Sequence, residues 1–335
     1  MMQTRGMPAP MITALLDLYR EPAVYERERR TVFRRTWQLF GLEADIPRRG
    51  DYLADTLAGY PLVVVRDDHG GLSGYHNLCR HRAGPLVGEE KGRCDGEFVC
   101  RIHKWRYGFD GGLREATGFG PADSFDTAAL GLLPIRVERW RGLVFVNLDG
   151  DAAPLAASIG PLERLLGPDA HRTARVRHRH AVACNWKVYV ENFLDGFHLE
   201  IEDEAHPPEV ILDGDVAMHA DASALTAADG LWAWLWPNLG VTIYRGVLLL
   251  EHMRPDSADR MQIEHIFLHA PEDAGVDAAI HASERVTEDR AWDCERVQQN
   301  LDAGVYRSGV LSPTREGAVA WFQDRARRAV EGQAR

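Results

Sequence analysis

Two short stretches of the chain each pair a cysteine with a histidine, and metal sites in proteins use this pattern. One residue separates Cys79 from His81, and two residues separate Cys100 from His103. Two thiolates and two imidazoles on facing loops can bind a tetrahedral zinc ion. The same set can hold a [2Fe–2S] cluster that has two Cys on one iron and two His on the other. The spacing alone leaves a zinc ribbon and an iron–sulfur centre as open alternatives.

The surroundings of the two pairs resemble a known family. The stretches CRHRAGPL and CRIHKWRYGFDG, which begin at Cys79 and Cys100, are similar to the Rieske motif of ring-hydroxylating and related oxygenases. The resemblance extends to VFRRTWQLFG before the motif and to PLVVVRDDHGGLSGYHNLC leading into it, and it covers most of the chain. It implies that Cys79, His81, Cys100 and His103 hold a Rieske [2Fe–2S] cluster.

A second stretch, NWKVYVENFLDGFHLEIEDEAHPP, carries further groups that can bind iron. The sequence predicts a helix over residues 185–199. On such a helix Glu191, Asp195 and His198 lie at i, i+4 and i+7, so they share one face. Two histidines and one carboxylate, with open coordination positions left over, form the facial triad of non-haem Fe(II) oxygenases. Those open positions are where O₂ binds beside the substrate.

This stretch resembles the mononuclear-iron motif of the same family. The resemblance implies that His198 is the first iron ligand and that Asp195 connects it, by hydrogen bonds, to the Rieske centre of a neighbouring subunit. The family usually has its second histidine where this chain has Asp203. We therefore predict His206, which precedes a proline, as the second ligand after a short insertion, with Asp203 as the alternative. The segment EDRAWDCERVQ resembles the one that supplies the carboxylate, which makes Asp289 the predicted third ligand.

Aromatic residues in the second half of the chain are candidates for the substrate site. Trp232, Trp234 and Trp236 alternate along the chain, so on a strand they share one face. With Tyr244 and the later segment GVYRSGVLSP, they resemble the branch of the family that acts on quaternary amines such as choline, betaines and carnitine. Three aromatic side chains on one face can form a cage for a cation. The same side chains can instead pack in the core, where Trp is often largely buried.

These groups need two kinds of scaffold, and the chain predicts an α+β protein that has both. Residues 46–150 contain short strands separated by Gly and Pro, among them the β-branched run YPLVVVR at 60–66, and predict a small all-β Rieske domain. Residues 1–45 predict a helical segment that packs on the catalytic domain. Residues 151–335 mix strands with helices, including a long helix over 282–303. They predict a larger α+β catalytic domain with an antiparallel sheet, of the helix-grip type.

Composition narrows the class of protein. The net charge is -11 with His neutral, so the chain is a poor partner for nucleic acid or for anionic membranes. No apolar run is long enough for a transmembrane helix, and residues 1–15 do not resemble a signal peptide. The five cysteines are few and odd in number, which argues against a disulfide framework. We expect a cytoplasmic protein with reduced thiols.

The resemblance also implies cofactors and partners. It implies an O₂-dependent monooxygenase or dioxygenase with a Rieske cluster and a mononuclear Fe(II), acting on a small-molecule substrate. Electrons are expected from NAD(P)H through a separate reductase or ferredoxin, since no G-x-G-x-x-G fingerprint for a nucleotide occurs at a strand–helix junction. The family forms head-to-tail trimers, so we expect a homotrimer in which His103 of one chain lies near Asp195 and His198 of the next.

Three other functions remain open at this point. Within the enzyme class, the chain can be an aromatic ring-hydroxylating or aromatic-acid oxygenase. Outside that class, it can be a Rieske electron carrier without a second iron. It can also be a zinc-stabilised binding module without catalysis. Iron content and the visible spectrum distinguish the electron carrier and the zinc module from an oxygenase. Only substrate assays distinguish an aromatic oxygenase from an oxygenase of quaternary amines.

Overall fold

The computed structural model describes residues 11–12, 16–120, 126–166, 174–195, 209–220, 231–244, 247–270 and 276–332. Within them the α-helices are α1 (Asp17–Arg20), α2 (Pro22–Glu28), α3 (Leu155–Leu166), α4 (Trp186–Leu194), α5 (Val276–Asp302) and α6 (Gly317–Val330). The first strands are β1 (Met11–Ile12), β2 (Gln38–Leu42), β3 (Asp51–Leu57), β4 (Tyr60–Arg66), β5 (Leu72–His76), β6 (Lys91–Arg93), β7 (Phe98–Val99), β8 (Arg106–Tyr107), β9 (Leu113–Glu115), β10 (Pro134–Trp140) and β11 (Leu143–Asn147). The later strands are β12 (Ala174–Val182), β13 (Glu209–Asp213), β14 (Val216–Ala220), β15 (Leu231–Leu235), β16 (Leu239–Tyr244), β17 (Val247–Pro255), β18 (Met261–His269) and β19 (Val310–Leu311). None of the helices in these ranges is long and apolar enough to cross a membrane.

The chain folds into two compact units. Phe33–Leu155 form the small unit, and Met1–Val32 together with Ala156–Arg335 form the large unit. The boundary predicted at residue 46 lies inside the small unit, because β2 pairs with β11 there. Helices α1 and α2, by contrast, belong to the large unit.

The small unit is built from antiparallel strands. Seven of its strands form one sheet in the order β2-β11-β10-β5-β4-β3-β6, and β7, β8 and β9 form a second sheet. Strand β4 coincides with the predicted run. Leu62 and Val64 pack into one core and Val63 and Val65 into another, all without exposed surface. Burial on both faces explains why this strand is apolar throughout instead of alternating with polar residues.

The large unit has the predicted α+β architecture. Its seven-stranded antiparallel sheet has the order β12-β18-β17-β16-β15-β14-β13, and every neighbouring pair is antiparallel. Helix α4 packs against α5, α6 and strand β17. The sheet and these three helices therefore enclose the volume in which the large unit can build a site.

Helix α4 is shorter than the sequence predicted. It begins after Asn185, whose side-chain oxygen accepts a hydrogen bond from the backbone N–H of Lys187 at 3.0 Å and so caps the helix. It ends at Leu194, and Asp195 is already extended with φ -66° and ψ 121°. The prediction that Asp195 shares a helical face with Glu191 was wrong. Asp followed by Gly is a poor continuation of a helix, which the apolar spacing alone did not reveal.

Candidate active site and metal centres

The two loops that carry the Cys and His pairs have the same backbone design. The N–H of Cys79 donates to the Gly84 carbonyl at 2.7 Å, and the N–H of Ala83 donates back to the Cys79 carbonyl at 2.9 Å. In the second loop Cys100 donates to Trp105 and Lys104 donates to Cys100, both at 2.9 Å. Ala83 and Lys104 have φ of 55° and 61°. The left-handed residue lets each loop close over its own cysteine.

The four side chains divide into a buried pair and an outer pair. Cys79 and Cys100 are each 2% exposed, whereas His81 is half-buried and His103 is exposed. The two imidazoles face each other, with Nδ1 atoms 3.1 Å apart. A Rieske cluster takes only two protein ligands on each iron, sulfurs on one and imidazoles on the other. The donor set and its division into pairs fit such a cluster.

Close packing around the loops also suits a bound group. A Cβ at Gly84 would lie 2.5 Å from Ile102 Cδ1 and 3.3 Å from Cys100 Sγ, so a side chain there would have to displace Ile102 and would press on the cysteine. The Trp105 ring stacks on His81 with centroids 4.8 Å apart. The loops thus bury the sulfur side and leave His103 at the surface.

Tyr107 is a contact of the cluster loops that the sequence did not identify as functional. Its hydroxyl lies 3.2 Å from Cys79 Sγ and accepts a hydrogen bond from the Arg80 backbone N–H at 3.1 Å. Burial raises the pKa of Tyr107, so the phenol stays protonated and can donate to the sulfur. Hydrogen bonds to cluster sulfurs tune the reduction potential.

In the large unit, one cavity of about 410 Å³ lies beside the end of α4. We call it the acidic cavity, because Glu191, Asp195 and Glu316 line it together with Tyr19 and Gln323. Asp195 is half-buried at its wall. The residue predicted to connect the two metal centres is therefore accessible from this cavity.

The carboxyl of Glu191 is held by residues distant in the sequence. The Tyr19 hydroxyl donates to Oε1, and Gln323 Nε2 donates to Oε2 at 3.1 Å. Removal from bulk water raises the pKa of Glu191 to about 7, although these hydrogen bonds and the Lys187 charge oppose the rise. Glu191 can thus gain or lose a proton near neutral pH.

An ion pair inside the large unit anchors α2 to α4. Lys187 Nζ lies 2.6 Å from Glu28 Oε1, and both side chains are 1% exposed. The second oxygen of Glu28 accepts a hydrogen bond from the Trp186 indole N–H at 2.9 Å. Burial lowers the pKa of Lys187, against the effect of its partner Glu28. The N-terminal helices thereby help to set the position of the helix that carries Glu191.

A second cavity of about 290 Å³ lies between the sheet, α4 and α5. We call it the aromatic cavity, because Phe193, Trp232 and Phe267 line it, together with the charged residues Glu251 and Arg290. Phe193 and Trp232 stack with ring centroids 4.9 Å apart. The sequence analysis did not identify the two charged residues. The one signal for Glu251 was a carboxylate inside the apolar run VLLLEHM, since a charge in a buried strand needs a partner.

The three predicted tryptophans have different environments. Trp232 and Trp234 both contact Phe193, with centroids at 4.9 and 5.4 Å, so they do share a face. Trp232 lines the aromatic cavity. Trp234 has no exposed surface, and Trp236 is 5% exposed and packs on Phe322 beyond the end of β15. The structure therefore places one tryptophan at a cavity and two in the core.

Several predicted iron-site residues lie outside the described ranges. They are His198, Asp203 and His206. For Tyr244, which was predicted for the substrate site, only the backbone in β16 is described. Asp289 lies in the middle of α5 and is exposed, not at the helix start. Within the residues that the structure describes, no three His, Cys, Asp or Glu side chains converge as ligands of one ion. The ligand set of the mononuclear iron remains a prediction.

Helix α5 nevertheless connects the two cavities. Val286 and Arg290 line the aromatic cavity, and Val297 and Asn300 line the acidic cavity. Asp289 lies in sequence between Val286 and Arg290, but its exposed side chain lines neither of these cavities.

Comparison with known proteins agrees with this architecture. Residues 36–126 match the Rieske [2Fe-2S] domain family, and residues 215–332 match the catalytic domain of the ring-hydroxylating alpha subunit family. The chloroplastic choline monooxygenase of Beta vulgaris is 27% identical over 333 residues, which cover 90% of this chain and 73% of that protein. The glycine betaine monooxygenase oxygenase subunit of Chromohalobacter salexigens is 32% identical over 191 residues, which cover 56% of this chain and 42% of that protein.

A solved structure shares the fold along nearly the whole chain. It is a quaternary ammonium Rieske monooxygenase, described for carnitine oxidation by gut microbiota and inter-subunit electron transfer. It superposes with a TM-score of 0.80 at 21% identity and covers 96% of this chain and 95% of its own. With both domains matched, the chain belongs to the Rieske non-haem iron oxygenases, oxidoreductases that use a Rieske [2Fe–2S] cluster, a mononuclear iron, O₂ and electrons from a reductase.

Proposed function

We propose that this oxygenase acts on a small trimethylammonium or related N-methylated amine, which it hydroxylates at a carbon beside nitrogen. The observation that carries the proposal is the aromatic cavity, where Trp232 and Phe193 lie with the buried carboxylate of Glu251. A quaternary ammonium group donates no N–H hydrogen bonds, so aromatic faces and a carboxylate are its natural partners. The choline and betaine substrates named for the relatives support the same class.

The reaction balances without a further co-reactant. Hydroxylation of an N-methyl group consumes one O₂, two electrons and two protons and releases one water. The hydroxymethyl product then breaks its C–N bond, giving formaldehyde, the demethylated amine and one proton. When bound, the cluster supplies the electrons and the mononuclear iron activates O₂. The residues of the aromatic cavity bind the cation and exclude water from it.

For the mononuclear iron we propose His198, His206 and Asp289 as ligands, with Asp195 holding the His198 ring through its other nitrogen. His206→Ala should lose the mononuclear iron and all turnover while its Rieske spectrum stays intact. Asp203→Ala serves as the matched variant and should retain the iron. If the two results are exchanged, Asp203 is the ligand and the predicted insertion is wrongly placed.

We also propose a homotrimer in which the cluster of one chain serves the iron of the next, with a separate reductase or ferredoxin as donor. The exposed His103 supports this, because it is the outermost predicted ligand of the cluster. Asp195→Asn should keep both metal centres yet lose turnover, since it removes the charge that connects them. The five free thiols suit the cytoplasm as the proposed location.

Mixed oligomers test the proposed transfer between subunits. Cys100→Ser chains lack the cluster and Asp195→Asn chains lack the connection, so each variant alone should be inactive. Coexpressed chains should recover part of the turnover, because a cluster in one subunit then faces an intact Asp195 in another. Mixed oligomers as inactive as the parent variants, although light scattering shows that they have formed, would reject the arrangement.

The substrate class is tested with a cation and its neutral isostere. Trp232→Ala should weaken binding of a trimethylammonium compound by roughly thirtyfold, which corresponds to about 2 kcal/mol for a cation over a desolvated indole. It should weaken binding of the tert-butyl isostere much less. Trp292→Ala, on the outer side of α5 with 60% of its surface exposed, is the control. Equal losses for both ligands would mean that Trp232 supplies only shape.

An oxygenase of aromatic acids is the second candidate, and Arg290 favours it. Its guanidinium lines the aromatic cavity and can bind a carboxylate. Turnover of a panel of small substrates, with O₂ uptake and formaldehyde both measured, separates the two candidates. Rapid turnover of an aromatic acid and none of any quaternary amine would favour the second.

A further inference from the structure

We infer that the aromatic cavity is built for a zwitterion, an ammonium group and a carboxylate on one short molecule, and not for a simple cation. The juxtaposition of Glu251 and Arg290 in the cavity wall carries this inference. It rests on the proposed function and specifies the substrate further. Glu251 faces the ammonium group and Arg290 faces the carboxylate.

Glu251 offers a buried carboxylate at the wall of the cavity. His265 Nε2 lies 3.2 Å from Oε1, and Arg290 Nη1 lies 3.5 Å from the same oxygen. Glu251 also lines the cavity, so its carboxylate can meet a ligand there. Although burial opposes ionisation, the hydrogen bond from His265 and the Arg290 charge hold the pKa of Glu251 below its usual range. The carboxylate therefore keeps its charge when a substrate enters.

Arg290 is only loosely paired with this carboxylate. A tight bidentate pair has N···O distances of about 2.7–2.9 Å, whereas here a single nitrogen approaches to 3.5 Å. The guanidinium lies over the Phe193 ring, 5.4 Å from its centre, and so contacts the aromatic wall. Its planar guanidinium carries five N–H donors, a geometry that suits a carboxylate of the ligand.

The charges of the wall decide between a cation and a zwitterion. Glu251 and Arg290 together contribute no net charge to the cavity. A simple cation that approached Glu251 would meet the like charge of Arg290 and would leave that guanidinium with a weaker partner. In a zwitterionic ligand, the ammonium group pairs with Glu251 while the carboxylate of the same ligand pairs with Arg290. The exchange conserves charge pairing in a site where unpaired buried charge is costly.

The cavity also limits the size of the ligand. Its volume of about 290 Å³ lies at the lower end of the range for small-molecule sites, which begins near 300 Å³. Because Glu251 and Arg290 lie side by side, the ammonium and carboxylate groups must be close in the ligand too. A short betaine fits both requirements better than a long-chain one.

The test compares two substrates of equal size with the holoenzyme and its reductase. Glycine betaine carries a trimethylammonium group and a carboxylate, and its carboxamide keeps the cation but lacks the anion. Formaldehyde formation with each compound gives kcat/KM, and calorimetry gives binding to the iron-loaded protein. Wild-type enzyme should prefer the carboxylate at least about tenfold, a difference of 1.4 kcal/mol.

Variants of Arg290 identify the source of that preference. Arg290→Gln should abolish it, by weakening the carboxylate at least about tenfold while changing the carboxamide little, and Arg290→Lys should restore it in part. Arg285→Gln, at an exposed position on the same helix, should keep the wild-type preference. The Rieske spectrum and iron content of each variant show whether it has folded.

The outcomes separate this inference from the proposed function. If the carboxamide is used as well as the carboxylate or better by wild-type enzyme, the zwitterion inference is wrong and the quaternary-amine function stands. If Arg290→Gln weakens the binding of both compounds equally, Arg290 does not bind the carboxylate and the inference also fails. If wild-type enzyme neither binds nor oxidises any trimethylammonium compound, the proposed function itself fails.

Discussion

The two metal-binding regions of this chain are constructed in different ways. The Rieske loops hold their four predicted ligands within a short segment, and each loop closes by hydrogen bonds to its own backbone. The catalytic domain instead assembles its cavities from α1, α4, β15, β17, α5 and α6. Its charged groups are stabilised by partners far away in the sequence, such as Glu28 for Lys187. A local site tolerates changes elsewhere, whereas a distributed site depends on the packing of the whole domain.

The largest expected effect is loss of the local site. Cys100→Ser should remove the cluster, with its colour and about two irons per chain, and turnover should fall to background. The mononuclear iron should remain, because its predicted ligands are in the other domain. Cys94→Ser is the matched control, since Cys94 lies in the same core but belongs to neither pair. Stoichiometric zinc and no Rieske EPR signal in reduced wild-type protein would overturn this account.

A change in the distributed region should be costly far from any ligand. Glu28→Gln leaves Lys187 buried without its counter-charge, and breaking a buried pair costs about 3–5 kcal/mol. Glu26, two residues before Glu28, forms an exposed ion pair with Arg29. Glu26→Gln breaks that pair and should lower the free energy of unfolding by less than about 1 kcal/mol. Chemical denaturation, monitored by tryptophan fluorescence, measures the free energy of unfolding of both variants. Equal losses for the two variants would contradict the difference drawn between the regions.

Glu191 adds a pH dependence to the distributed region. The pKa of its carboxyl is about 7 in the folded protein against 4.5 ordinarily, so the folded state binds the proton more tightly. Stability from this group is therefore complete below pH 4.5 and is lost as the pH rises through 7. Glu191→Gln carries no titrating proton. Its stability relative to wild type should rise by about 2 kcal/mol between pH 5 and pH 8, a figure reduced for partial solvent access from the cavity.

Denaturation curves at the two pH values check this expectation. The amide keeps an oxygen for the Tyr19 hydroxyl, so the hydrogen bonding of the site is largely preserved. Glu26→Gln serves again as the surface comparison. A stability difference between Glu191→Gln and wild type that is the same at both pH values would show that Glu191 does not titrate in this range.

The smallest effect should be a tuning of the local site. Tyr107→Phe removes the hydroxyl that lies 3.2 Å from Cys79 Sγ but keeps the buried ring. A hydrogen bond of about 1 kcal/mol corresponds to about 40 mV for a one-electron couple, so the potential should fall by roughly that amount. Redox titration followed by EPR measures the shift. An unchanged potential would mean that the phenol does not donate to the sulfur.

Local patterns in the sequence were enough to predict much of the protein. The α+β class was confirmed, as was strand β4 with its predicted bounds. The family was identified correctly from the motifs around the two Cys and His pairs and from the stretch that begins at Asn185. Such features are recoverable because spacing along the chain sets them: the loops close on themselves, and a strand shows its burial in consecutive residues.

Predictions that depended on where a helix ends, or on what a strand faces, were weaker. The helix predicted to reach residue 199 ends at Leu194. The three tryptophans were grouped as one face, yet of the three it is Trp232 that lines the aromatic cavity, whereas Trp234 and Trp236 are buried in the core. Periodicity reports which side chains point the same way. It does not report whether a cavity or the core lies opposite them.

The sequence by itself determined the family, and with it the type of chemistry and the two kinds of domain. The tertiary structure alone decided the charge pairs: Glu28 with Lys187, and Glu251 with Arg290. The hydrogen bond from the Tyr19 hydroxyl to the Glu191 carboxyl likewise joins residues that are far apart in the sequence. The physical reason is that a charged side chain is stable in the interior only beside its partner, and folding selects that partner across long separations. No local pattern records such a choice.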